Sequence, residues 1–337
     1  MNVLVTGGAG YIGSHTAKAL ARSHYRPVII DDLSTGHAHN VKWGPFVRAN
    51  LLDTAVVRSV LKEYKIESVI HFAGSALVGE SVAHPLSYFQ NNVGGTLSLL
   101  EAMRDAGVHD IVFSSTCATY GLPGAVPITE DQPQNPINPY GDSKLVIERA
   151  LRWMGLARQV RWVALRYFNA AGADPEGELG EEHAHETHLI PLAIGAALGE
   201  RDRLKIFGTD YPTPDGTAIR DYIHVTDLAS AHIRALEYLK RGEESRAINL
   251  GTGSGASVLE VIAKVQFVGG QTVPSVAAPR REGDPPILVA SPALARQLLQ
   301  WQPAHSSLET IIRTAWRWHF SVQSHADLQT SGSRVLS

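Results

Sequence analysis

Apolar positions along the first half of the chain alternate between two periods. Short β-type runs at residues 2–6, 26–30, 46–48, 68–72, 110–115 and 161–166 are separated by helical patterns at 11–23, 54–65, 85–106 and 140–156. Within 54–65, Val56, Val57, Val60 and Leu61 recur at helical spacing. Proline opens 85–106, a position where its missing N–H is not needed. Strand and helix in strict alternation predict right-handed βαβ crossovers and a parallel sheet with helices on both faces. The expected fold is an α/β, Rossmann-like doubly wound domain over residues 1–172. In such sheets ligands bind beyond the carboxyl ends of the strands.

After Gly172 the periodicity is lost, and Pro, Gly and charged residues cluster at 174–186 and 209–216. This predicts a smaller mixed α/β substrate-binding domain over 173–320. Residues 220–239 and 247–251 read as a helix and a strand that return to the first domain. Residues 321–337 are polar and aperiodic and predict a flexible tail.

Composition narrows the function classes. The chain has 337 residues, 44% hydrophobic and 19% charged, enough for a substantial core. A net charge of −3 gives no electrostatic case for nucleic acid or an anionic membrane surface. No run approaches the ~20 apolar residues needed to span a bilayer, and Met1 leads into a strand rather than a secretory signal. Cys117 stands alone and cannot form an intramolecular disulfide, so a reducing cytoplasm is the expected compartment.

The first candidate chemistry follows strand one: Thr6-Gly7-Gly8-Ala9-Gly10-Tyr11-Ile12-Gly13. Glycines at this spacing permit a tight turn, close approach of backbone to a pyrophosphate, and close helix–strand packing. The helix that follows offers free N–H groups to phosphate oxygens. Asp31 ends strand two, where a carboxylate accepts both ribose hydroxyls of an adenosine and repels a 2′-phosphate, and Asp32 adds charge of the same sign. NAD is therefore favoured over NADP.

The second is Tyr140-Gly141-Asp142-Ser143-Lys144, in a helical stretch after Pro139. Tyr140 and Lys144, four apart, share a helix face. A phenol with a pKa near ~10 is a poor base at neutral pH; a neighbouring ammonium and an oxidised nicotinamide would both favour the phenolate. Ser114-Ser115-Thr116 end strand five at the ligand edge, where Thr116 can hold a substrate oxygen.

Together with Phe72-Ala73-Gly74, Val78-Gly79-Glu80-Ser81, Asn91-Asn92-Val93, Arg166-Tyr167-Phe168-Asn169, Leu189-Ile190-Pro191, Ile206-Phe207-Gly208, Arg220-Asp221-Tyr222-Ile223-His224 and Arg281-Glu282-Gly283-Asp284, these motifs resemble the extended short-chain dehydrogenase/reductase family and, within it, the UDP-glucose 4-epimerases. The resemblance runs over roughly residues 1–318. It implies an NAD-dependent isomerase that oxidises C4 of a UDP-sugar to a transient 4-keto sugar and reduces it from the other face, with Tyr140, Lys144 and Thr116 catalytic. It assigns NAD to Gly7, Gly10, Tyr11, Ile12, Gly13, Asp31, Asp32, Asn50, Leu51, Phe72, Ala73, Gly74, Asn91, Tyr140, Lys144 and Phe168. It assigns the nucleotide-sugar to Asn169, His188, Leu189, Lys205, Phe207, Arg220, Tyr222, Arg281, Asp284 and Leu288. Arg220, Arg281 and Asn169 are expected on the diphosphate, Asp284 on the uridine ribose, and Leu189, Lys205 and Phe207 around the uracil. A homodimer is implied, pairing the helices at 85–106 and 140–156.

Several positions depart from the family pattern. Thr116 replaces a serine and keeps the hydroxyl. Asn50 stands where an aspartate meets the adenine amine, and its amide oxygen can accept the same bond. Ala76 replaces a lysine, and His188 an asparagine. Leu288, at the sugar-pocket gate, should crowd an N-acetyl group, which favours UDP-glucose/galactose or a UDP-pentose such as UDP-xylose/arabinose. A dehydratase of the same superfamily would need an acid pair after Thr116, where this chain has Cys117 and Ala118. A non-catalytic NAD-binding regulator would be expected to lack the tyrosine or the lysine. His183, His185 and His188 suggest zinc, but with no fourth ligand evident they read as a polar surface loop, and no metal is expected.

Overall fold

The computed structural model describes residues 1–281 and 283–333, with side chains described through Ser321. The chain begins β1 (Asn2–Thr6), α1 (Tyr11–Arg22), β2 (Arg26–Asp31), β3 (Phe46–Arg48), α2 (Thr54–Glu63), β4 (Ser68–His71), α3 (Val78–Ala83), α4 (Pro85–Tyr88) and α5 (Gly95–Ala106). It continues β5 (Asp110–Thr116), α6 (Pro139–Leu156), β6 (Arg161–Tyr167), β7 (Asn169–Ala171), α7 (Leu189–Ala197), β8 (Leu204–Phe207), β9 (Ile219–Arg220), β10 (Tyr222–His224) and α8 (Val225–Lys240). It ends β11 (Arg246–Leu250), β12 (Ala256–Ser257), α9 (Val258–Gly269), β13 (Ser275–Ala278), β14 (Ile287–Leu288), α10 (Ala293–Leu299) and α11 (Leu308–Ser333).

Seven strands form one parallel sheet in the order β11-β6-β5-β4-β1-β2-β3. This is the predicted Rossmann-like, doubly wound α/β fold. The order reverses between β1 and β4, the point at which sheets of this kind leave a crevice at the carboxyl ends of their strands. Alternate residues of one strand feed two cores. Leu4, Ile111 and Phe113 pack on one face with residues from α2, α5 and α6. Val3, Val5 and Val112 pack on the other with residues from α1 and α8. A third core joins α7, α9 and α11 in the smaller domain.

α8 packs against β5 and β6, and β11 pairs with β6, but the segment ahead of α8 is not helical. Residues 219–224 form β9 and β10, and the helix starts only at Val225. Tyr222-Ile223-His224 pairs with β7, which suits the β-branched and aromatic residues it carries. The helix predicted at 85–106 forms but is interrupted by a π-helical turn, Phe89–Gly94. The backbone of α11 continues through Ser333, where an aperiodic tail was predicted from 321; no proline or glycine interrupts it before Gly332. Residues 334–337 and Glu282 of the Arg281-to-Asp284 motif lie outside the described residues.

Candidate active site

The glycine turn joins β1 to α1 at the switch in strand order. Gly7 has φ +68°, and a Cβ there would lie 2.6 Å from Ala73 N; a Cβ on Gly13 would lie 2.2 Å from Gly7 O. Only glycine lets the turn, the start of α1 and the Phe72-Ala73-Gly74 exit of β4 approach this closely. Gly10 is the N-cap of α1 with no side-chain cap, and no acid sits in the first turn, whose Tyr11 and Ile12 N–H groups are left for an anion. The Tyr11 hydroxyl donates to Gly172 O at 2.6 Å.

Asp31 ends β2 beside the turn, accepting from Ala9 N–H at 3.0 Å and Leu33 N–H at 2.8 Å. Burial raises its pKa and these two bonds oppose the rise. Asn50 donates from Nδ2 to Asp32 at 2.9 Å, and its Oδ1 accepts from Leu52 N–H at 2.9 Å. The amide oxygen expected for adenine therefore already holds one bond and has one acceptor direction left. Leu51 is buried, and its carbonyl accepts from Ser98 on α5 at 2.5 Å. A turn that no Cβ fits, a free helix N-terminus and a carboxylate at the end of β2 together suit a dinucleotide.

On the other side of the crevice, Phe72 packs on His232 at 4.6 Å between centroids. The π turn brings two asparagines to this edge: Asn91 donates to Ser75 Oγ at 3.1 Å, and buried Asn92 donates to Ser143 Oγ at 3.0 Å while accepting from Ser75 N–H at 2.8 Å. Such turns recur at functional sites. A Cβ on Gly74 would lie 3.0 Å from Asn92 Oδ1 and 3.6 Å from Lys144 Nζ. Buried Phe168 packs in a small cluster with Cys117 and Leu288.

Thr116, Tyr140 and Lys144 come together where β5 ends and α6 begins. Thr116 caps a short 3-10 turn, Cys117–Tyr120, its Oγ1 accepting from Ala118 N–H at 3.2 Å. Asn138 caps α6 by accepting from Gly141 N–H at 2.8 Å. A Cβ on Gly141 would lie 2.5 Å from Ala118 O, so glycine lets the first turn of α6 sit against the Thr116 turn. Burial pushes the Tyr140 phenol well up, Tyr167 adds to the rise, and a hydrogen bond with Thr116 opposes it. Lys144 is buried, donates to Ser114 O at 3.0 Å and lies 4.9 Å from the Phe113 ring centroid. Burial lowers its pKa to about 8. The predicted lowering of Tyr140 by Lys144 is thus not what the protein groups produce. The ammonium is committed to a carbonyl, and loss of solvation dominates both groups.

Beneath this trio, Glu148 on α6 accepts from Ser115 Oγ at 2.5 Å and from Arg166 Nε at 2.9 Å. Arg166 also donates to Tyr120, which donates to Asn249 at 2.7 Å. Arg166, Asn92 and Ser143 stood in motifs without an assigned role, and Glu148 was missed from the sequence. The Asn91-Asn92 pair was the available signal, since asparagine is a poor mid-helix residue.

The smaller domain supplies the opposite wall. Arg220 and Asp284, expected on different parts of the nucleotide, form an ion pair, and Arg220 Nη1 donates to Ile219 O at 2.8 Å. Leu288 is the register partner of Arg220. Arg281 lies over the Phe207 ring at 4.1 Å from its centroid, and Lys205 shares the outward face of β8 with Phe207. Asn169 N–H donates to Asp221 O at 3.0 Å, holding the head of β7 beside Arg220. Tyr222, expected on the substrate, is instead largely packed into the core of the smaller domain, because strand alternation turns it opposite to its neighbours. Leu189 opens α7, with His188 as N-cap. His188 Nδ1 is ion-paired with Glu181; burial lowers its pKa, but Glu181 and then Glu186 outweigh this and raise it to about 9.

A family model, the NAD dependent epimerase/dehydratase family, matches residues 3–251. The chain belongs to that family. A UDP-glucose 4-epimerase of Rhizobium meliloti (strain 1021) is 53% identical over 318 residues, covering 94% of this chain and 97% of the relative. One from Rhizobium leguminosarum bv. trifolii is 52% identical over 323 residues, 96% of this chain and 98% of the relative. The crystal structure of a Brucella ovis UDP-glucose 4-epimerase in complex with NAD superposes with a TM-score of 0.92 at 55% identity, covering 94% of this chain and 97% of that one. After Thr116, where the acid pair expected of a dehydratase would stand, this chain has Cys117 and Ala118. Here Cys117 is pushed up to about 12 by burial, and Ala118 has no acid at all.

Proposed function

We infer that this chain catalyses NAD-dependent epimerisation at C4 of a UDP-sugar, interconverting UDP-galactose and UDP-glucose through a transient 4-keto sugar. The observation that carries this reading is the Thr116–Tyr140–Lys144 trio, set beside the glycine turn with no carboxylic acid following Thr116. Bound NAD would supply the hydride acceptor and donor for C4, and its oxidised ring the positive charge that would offset the burial of the Tyr140 phenol.

Tyr140 takes the proton of the sugar 4-hydroxyl and gives it back, while Thr116 fixes that oxygen. Lys144, held by the Ser114 carbonyl, supplies positive charge from the same helix face. Arg220, Arg281, Asn169 and His188 hold the diphosphate, Asp284 the uridine ribose, and Leu189, Lys205 and Phe207 the uracil. The sugar is gripped less than the nucleotide and can present either face. Leu288 packs with Cys117 and Phe168 and narrows the space for a substituent at C2.

The chain acts as a homodimer. Its candidate helices carry large exposed apolar side chains that a monomer leaves in water: Leu86 at 67%, Leu97 at 50%, Trp153 at 72% and Leu156 at 66%. No helix among the described residues is long and apolar enough to cross a membrane.

The test is purified protein on UDP-galactose without added NAD, with UDP-glucose followed by chromatography. Turnover is expected, falling by roughly 10²-fold or more in Tyr140→Phe. Absence of turnover with and without NAD refutes the hexose assignment.

A further inference from the structure

The polar segment leading into α7 brings together four side chains whose ligand atoms converge. Glu181, His183, Glu186 and His188 each offer one ligand atom, and all four lie within 4.8 Å of one another. His183 Nδ1 is 3.2 Å from Glu186 Oε2 and 3.5 Å from Glu181 Oε1. His188 Nδ1 contacts the same Glu181 oxygen and lies 3.9 Å from Glu186 Oε1. Bonds of about 2.0–2.1 Å in a tetrahedral zinc site put ligand atoms roughly 3.3 Å apart, within the spread seen here. Glu181 is 5% exposed and is faced by the Nδ1 atoms of both His183 and His188, whose proton a divalent ion would displace. Two carboxylates with two neutral imidazoles balance a divalent charge, and imidazole nitrogen favours zinc or cobalt over magnesium or calcium. His185 is exposed and is not among the four.

We propose that Glu181, His183, Glu186 and His188 form a site for a divalent transition metal ion with a zinc-like ligand set. Four protein ligands close the coordination sphere, so the site is structural. Glu186, inside the His183-to-His188 segment, takes the place expected of His185, and Glu181, ahead of it, supplies the fourth ligand that the three histidines lacked. Ligation through Nδ1 places the His188 proton on Nε2, the form that donates to an anion. This last point rests on the reading of His188 as a diphosphate contact; the metal site itself does not. A second set, His37, His39 and Glu182, lies next to the first through Glu182 but has three ligands. It is the natural competitor.

The experiment uses the full-length protein, stripped with a chelator and titrated with Zn²⁺ by calorimetry, with Co²⁺ as a spectroscopic substitute. One equivalent of zinc is expected, with an intense tetrahedral-type visible spectrum for cobalt. His183→Ala and, separately, Glu186→Gln should each weaken zinc binding by roughly tenfold or more, while the His37→Ala/His39→Ala double variant should bind as wild type. Absence of saturable binding, binding that survives both His183→Ala and Glu186→Gln, or loss confined to the His37/His39 variant overturns the site. Zinc should also lower the KM for UDP-galactose in wild type and not in His183→Ala; an unchanged KM overturns the orienting role. Failure of the epimerase reading would show in the turnover assay and leave the titration unaffected.

Discussion

Glu148 on α6 and Arg166 on β6 form a two-pronged ion pair beneath the catalytic residues, Nε to Oε1 at 2.9 Å and Nη2 to Oε2 at 2.5 Å, with both side chains 6% exposed. The Ser115 hydroxyl joins the same carboxylate. The pair therefore ties the helix of Tyr140 and Lys144 to the strand of Thr116 and to its neighbour. Glu148→Gln leaves a buried guanidinium without its counter-charge and should cost about 3–5 kcal/mol of stability, measured by urea unfolding. The double change Glu148→Leu/Arg166→Met should recover much of that loss, since no charge is then stranded. A double variant no more stable than Glu148→Gln would show that the pair is not what sets the cost.

Lys144 makes stability depend on pH in a defined window. Burial lowers its pKa to about 8 in the folded state from the ordinary 10.5. Between these values the unfolded chain holds a proton that the folded chain has lost, so stability rises with pH across the window. The contribution is complete above the unfolded value and lost as pH falls to about 8. The slope is at most about 1.4 kcal/mol per pH unit. The difference in unfolding free energy between wild type and Lys144→Met, followed from pH 7.5 to 10, should show this rise, and parallel curves would contradict it.

Leu288 sets how much room the sugar has. Leu288→Ser removes a branched apolar side chain from the cluster with Cys117 and Phe168. The ratio of kcat/KM for UDP-N-acetylglucosamine over UDP-glucose should rise by roughly 10-fold or more, the scale of small volume changes in an apolar pocket. The loss of UDP-glucose activity should be small by comparison.

The exposed apolar stripe on the candidate dimer helices gives a direct test of assembly. Leu97→Asp combined with Trp153→Asp places charge on both helices, at side chains 50% and 72% exposed. Sedimentation velocity should show a dimer for wild type and a monomer for the double variant. A wild-type monomer at micromolar concentration would refute the assembly.

Local chemistry was legible in the chain, and distant pairing was not. Gly7 and Gly13 announce a turn without Cβ atoms because the constraint is contained within a few residues. Tyr140 and Lys144 share a helix face by spacing alone. By contrast Arg220 and Asp284 are 64 positions apart, and nothing in their neighbourhoods says that they meet. Arg220-Asp221-Tyr222-Ile223-His224 read as the start of a helix because the strand there is too short to show a period. Its pairing with β7 and β12 decides its state. Likewise, Glu181 and Glu186 stand in plain view around three histidines. Whether their oxygens meet two Nδ1 atoms depends on the path of an irregular segment, which periodicity does not describe.

The order in which the chain visits its two layers has a mechanical consequence. It leaves the large sheet after β6, returns through α8 to lay down β11, departs again for β12, α9 and β13, comes back with α10, and finishes in the smaller layer with α11. The halves are stitched by several passes of thread and do not hang on one hinge. Twisting one layer over the other would require every stitch to bend together, whereas a shallow opening along the seam strains each of them little. A single nick in one loop would leave the seam closed by the remaining passes. That construction lets the two layers part slightly while they stay joined.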